Sequence, residues 1–221
     1  MQRLWGIITL LTLMLAVLPF AARGQDMGDW FKAAASGDIA AIQAELTQGT
    51  DIDLRNTKGE TALLVATRHN RVEAVRLLIE AGADVNAQDD ILDSAYLYAG
   101  ASGYLEILEM TLAHGADLAS TNRFDGTALI PAAERGHVET VARLIEAGVD
   151  IDHVNKLGWT ALLEAIILSD GGTRHQQIVD LLIRAGANVN LPDGDGVSPL
   201  QHARNRGYDQ IEALLLAAGA S

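Results

Sequence analysis

Apolar residues recur along this chain at helical spacing, in short runs that a glycine brings to an end. Val72, Val75, Leu78 and Ile79 share one face of a predicted helix. Gly82 follows, where left-handed backbone can end the helix, and Ala83-Asp84-Val85-Asn86 opens a polar turn. The phrase from Leu77 to Asn86 returns from Ile145 to Asp152 and from Leu182 to Asn190. Weaker copies run from Leu46 to Asp53 and from Leu112 to Asp117. The stop glycines Gly49, Gly82, Gly115, Gly148, Gly186 and Gly219 are 33, 33, 33, 38 and 33 residues apart. A fixed period of this length predicts a stacked array of helix-turn-helix units.

A shorter apolar run precedes each of these helices. In Ala62-Leu63-Leu64-Val65-Ala66 it is led by Thr61, whose hydroxyl is suited to accept from a free N–H at the helix start. Trp30, Phe31, Ala34 and Ala35, then Ile39, Ile42, Ala44 and Leu46, predict the first pair. The period divides residues 25–221 into about six units, near 26–58, 59–91, 92–124, 125–157, 158–195 and 196–221. The end units carry polar faces (Lys32, Gln43, Glu45 and Gln48; Arg204, Arg206 and Glu212), as capping units require.

The interruptions of the pattern cluster in the middle. Unit three lacks a turn glycine and holds Tyr96 and Tyr98, expected in the interior with hydroxyls reaching polar partners. Unit four has Pro131 near a helix start. Unit five has Glu164 at an apolar position, where a neighbouring hydroxyl or arginine is the expected partner, and about five inserted residues around 169–173.

Gly126-Thr127-Ala128-Leu129, Ala132-Ala133, Gly136-His137, Val141, Leu144-Ile145 and Gly148-Val149-Asp150 together resemble the ankyrin repeat, and Gly196-Val197-Ser198-Pro199-Leu200 restores its usual proline. The resemblance covers residues 26–221. It implies an all-α ankyrin-repeat solenoid, a non-catalytic protein-binding scaffold, and a concave face built from turn tips and first helices.

Composition narrows the reading. Hydrophobic residues make up 49% of the 221 and aromatics only 5%, which suits thin, closely stacked helices. The net charge of −13 argues against a nucleic-acid partner. Met1-Gln2-Arg3, the apolar run from Leu4 to Leu18, Pro19 and Ala22-Arg23-Gly24 read as a signal peptide over 1–24, cleaved after Gly24. The run is too short to span a bilayer, so no stable membrane anchor is expected after cleavage. With no cysteine in the chain, an exported fold must be held by packing alone. The expectation is a monomeric protein in the periplasm or outside the cell.

Motifs for chemistry are absent: no cysteine nucleophile, no nucleophile elbow, no zinc or phosphate-loop signature. No catalytic residue, metal site or cofactor is expected. Asp193-Gly194-Asp195-Gly196 has part of a calcium-loop spacing and reads as a turn. The candidate partner-binding residues are Asp93, Tyr98, Arg123, Phe124, Glu134, Arg135, Trp159, Glu164 and Asp170. In the ankyrin pattern, repeat position also places Lys58, Glu60, Arg68 and His69, then Asp90, Ile91, Ala101 and Ser102, then Lys156, Leu157, Ile167 and Leu168 on the concave face. The alternative is an enzyme or small-ligand binder using the central polar cluster, with Glu134 and Glu164 as a hydrolase-like carboxylate pair.

Overall fold

The computed structural model describes residues 27–221; the expected signal peptide and its cleavage point lie outside them. The described residues form twelve helices in six consecutive pairs: α1 (Met27–Ser36), α2 (Ile39–Thr47), α3 (Ala62–Arg68), α4 (Val72–Glu80), α5 (Ala95–Ser102), α6 (Leu105–Ala113), α7 (Leu129–Glu134), α8 (Val138–Ala147), α9 (Ala161–Ile167), α10 (Thr173–Arg184), α11 (Pro199–Arg206) and α12 (Asp209–Ala217). Odd-numbered helices pack on one another in sequence and form one layer; even-numbered helices form the second. No strand occurs among the described residues, and none of their helices is long and apolar enough to cross a membrane.

Local chemistry starts four of the pairs and closes them. Thr61, Ser94, Thr160 and Ser198 accept from backbone N–H groups of the helices they precede. At the far end Gly82 takes φ +97°, and the N–H of Ala83 reaches back to the Leu78 carbonyl at 3.0 Å. Val149 to Leu144, Ala187 to Leu182 and Ala220 to Leu215 repeat that closure.

Alanine explains how the layers come so close. Ala62 and Ala66, Ala95 and Ala99, Ala128 and Ala132, and Ala161 and Ala165 stand four residues apart on or at the start of four consecutive first helices, all fully or almost fully buried. A Cβ on Gly100 would come within 2.8 Å of the Ala128 methyl. Both layers also bury larger side chains, Leu63, Leu129 and Leu162 on first helices and Leu78, Ile107, Leu108 and Leu144 on second helices. Tyr96 is fully buried, and its hydroxyl has no hydrogen-bond partner, contrary to expectation. Burial pushes its pKa well up.

Polar staples tie the turns behind the second helices. Asp53 accepts from Asp84 N–H, Asn86 from Asp117, Asp152 from Asn188 and Asn190 from Ser221. The matching position between units three and four is Ala119, which has no side-chain acceptor. The extra residues of unit five divide between a longer loop, 168–172, and a longer helix, the twelve-residue α10. Tyr208 holds that loop toward the last unit through a 2.6 Å hydroxyl bond to the Ser169 carbonyl.

Candidate functional site

Each turn tip is built on one acceptor side chain. Asn56, Asp89, Asn122, Asn155 and Asp193 each take the N–H groups two and four residues ahead. For Asp193 this is the turn expected of Asp193-Gly194-Asp195-Gly196. These residues are spaced 33, 33, 33 and 38 apart, like the stop glycines, so the signal was present in the sequence. Nine residues beyond them stand Val65, Tyr98, Pro131, Glu164 and His202.

The three central members of that row, Tyr98, Pro131 and Glu164, help line a groove of about 560 Å³ across units three to five. Tips contribute Ile91, Asp93, Asn122, Arg123, Phe124, Asn155 and Leu157. Glu134 and Arg135 close α7, and Leu168 follows α9. Seven of the nine residues singled out from sequence therefore meet here: Asp93, Tyr98, Arg123, Phe124, Glu134, Arg135 and Glu164.

Trp159 and Asp170 do not line the groove. Trp159 is half-buried, and its backbone closes the tip by exchanging bonds with Asn155. Among the described residues no ring contact joins it to Phe124, which instead lies under the Arg123 guanidinium, 4.7 Å from the ring centre. Asp170 is exposed in the inserted loop. It accepts from Gly172 N–H at 2.8 Å and meets His175 Nδ1 at 3.3 Å. The Gly172 N–H, aided by His175, holds its carboxyl below the usual range. The loop that carries Asp170 is held by Tyr208 at Ser169 and does not enter the groove.

One end of the groove is closed by an ion cluster. Arg68 meets Asp89 at 2.7 Å, Asp93 at 3.0 Å and Glu60 at 3.0 Å, with its guanidinium 4.7 Å from the centre of the Tyr98 ring. Burial opposes the Arg68 charge, but the three carboxylates outweigh it and its pKa rises. Burial also pushes Asp93 up, against the pull of Arg68. This cluster holds a cation of its own, Arg68, among its three carboxylates.

The other end differs. Glu164 is 5% exposed and accepts from Asn155 Nδ2 at 2.8 Å; the partner is an amide, not the hydroxyl or arginine expected. Burial, with the like charge of Glu134 on α7, pushes its carboxyl up to about 7, although the Asn155 bond favours ionisation. Among the described residues no lysine, arginine or histidine pairs with Glu134 or Glu164 within 4 Å. No group of three or more His, Asp or Glu among them could hold a metal ion.

The model for ankyrin repeats, in three copies, matches residues 30–122, 96–193 and 129–221. The chain belongs to the ankyrin repeat family. Over 58 residues, 26% of its length, it is 53% identical to the ankyrin repeat protein YahD of Escherichia coli K12; that match spans 29% of YahD. A solved ankyrin repeat domain from Acinetobacter baumannii AYE is 66% identical, with a TM-score of 0.86 over 89% of this chain and 100% of that one. The ankyrin repeat protein EF0377 is 41% identical, with a TM-score of 0.82 over 88% of this chain and 98% of its own. Ankyrin repeat domains are in general protein-interaction scaffolds, and the fold is typically a non-enzymatic one.

Proposed function

We propose that this ankyrin array is an exported, monomeric, non-catalytic scaffold that binds a segment of another protein in the groove of units three to five. One observation carries the reading. The described residues expose seven large hydrophobic side chains, and four of them, Ile91, Phe124, Leu157 and Leu168, line this one groove. Apolar side chains around a charged floor suit a protein partner, because burying them drives association while the polar groups set register. A preordered array also loses little conformational entropy on binding. Export rests on the signal pattern at residues 1–24 and on a cysteine-free sequence.

Two experiments test this. A photo-crosslinking amino acid replaces Phe124 in one sample and the exposed Leu216, outside the groove, in another. The expected result is a discrete protein adduct at position 124 that Leu157→Ala weakens. Equal labelling at both positions would remove the groove from the proposal. Expression of the full sequence in a bacterium, followed by fractionation and N-terminal sequencing, should find the chain outside the cytoplasm and starting at Gln25. An intact cytoplasmic chain would refute export.

A further inference from the structure

Resting on that reading, we propose that the partner presents a lysine or arginine side chain, which enters the groove and pairs with Glu134 and Glu164. The two carboxylates lie on consecutive first helices, face one groove, and have no cation of their own within 4 Å among the described residues. Glu164 is almost fully buried, with Asn155 Nδ2 holding one oxygen. A buried carboxylate short of a cation is costly in the free protein, and an incoming ammonium or guanidinium removes that cost. Ile130, Pro131 and Leu168 supply the apolar wall that the stem of such a side chain covers.

The nearby arginines cannot serve instead. Arg68 is committed to Glu60, Asp89 and Asp93. Arg135 donates to the Ala101 carbonyl at 2.7 Å, and Arg123 lies over Phe124. The elements packed on α9 also carry Arg174 and Arg184 on α10 and Arg204 and Arg206 on α11, but none pairs with Glu134 or Glu164; Arg184 meets Asp180, Arg204 meets Glu212, and Lys156 at the adjacent tip donates to the Arg123 carbonyl at 3.0 Å. His202 of α11 is held by Asp193 at 2.7 Å, and His175 of α10 lies between Asp170 and the Glu134 carbonyl.

The test pans a random twelve-residue phage-displayed peptide library on protein purified from the full 221-residue sequence. The expected enriched peptides share one fixed lysine or arginine. Replacing that residue by norleucine in the best synthetic peptide weakens binding at least about tenfold. Glu134→Gln and Glu164→Gln proteins, shown folded by circular dichroism, lose a similar factor with the basic peptide and little with the norleucine peptide. Binding of the basic peptide strengthens from pH 6 to pH 8 in the wild type, as Glu164 ionises, and loses that dependence in Glu164→Gln.

Enriched peptides without a fixed basic residue, still weakened by Phe124→Ala, would overturn the cation pairing and leave the protein-binding groove standing. Free N-acetyl-lysine amide binding as tightly as the peptide would make this a small-molecule site and overturn the proposal. Absence of any enrichment would count against both readings.

Discussion

Replacing Glu164 by glutamine separates the effect of its charge from that of its shape. In the unfolded chain the carboxyl has a pKa of 4.5; in the fold it keeps its proton up to about 7. Between those values the folded state binds more protons than the unfolded one, so stability falls as pH rises through the window. Below about pH 4.5 Glu164 is neutral in both states and costs nothing; above about pH 7 the full penalty is present. A displacement of this size corresponds to ~3 kcal/mol. Glutamine matches the protonated acid in size and still offers an oxygen to Asn155 Nδ2, which now donates at 2.8 Å. Glu164→Gln is therefore expected to match the wild type near pH 5 and to exceed it at pH 8 by ~3 kcal/mol, or roughly 6–12 °C in melting temperature for a domain of this size. Urea unfolding of both proteins at pH 5, 6, 7 and 8 measures it, and the difference between them cancels other titrating groups such as His137. A difference that stays constant across pH, or a variant less stable at pH 8, would refute the reasoning. A residue that weakens the free protein at neutral pH is what a binding site tolerates and a purely structural position does not.

Other outcomes follow from the same geometry. Arg68→Ala leaves Glu60, Asp89 and Asp93 together without their cation and should cost ~3 kcal/mol in urea unfolding. Gly82→Ala and Gly158→Ala both force alanine into left-handed backbone, at φ +97° and +78°, but only at Gly158 would the new Cβ meet the Gly194 backbone, at 2.8 Å. Thermal melts should show ~1 kcal/mol lost at Gly82 and clearly more at Gly158. Ala119→Asn supplies the missing staple between units three and four and should gain ~1 kcal/mol, read as a higher urea midpoint. Acidification should destabilise the protein through His137, whose pKa burial and the neighbouring Arg135 and Arg174 lower; protection falls as pH drops below 6.5, and His137→Gln should blunt that slope.

The sequence by itself determined the repeat fold, because what makes each unit is local. Stop glycines at φ +83° to +97°, capping hydroxyls such as Thr61 and Thr160, and helical apolar spacing act over a few residues each, and the near-constant period then leaves stacking as the one way to bury every apolar face. It also marked the central units as exceptional. What it left open was which of those exceptions converge. Tyr98, Glu134 and Glu164 meet because stacking brings the same face of consecutive first helices into one row, with Asp93 joining them from a turn tip, whereas Trp159 serves its own turn and Asp170 follows a loop held by Tyr208. The partner of Glu164 was equally out of reach: Asn155 lies nine residues away in a turn tip, and its amide is aimed by the bonds its oxygen makes to Leu157 and Trp159. Those pairings depend on how units close and stack, which only the tertiary structure decides.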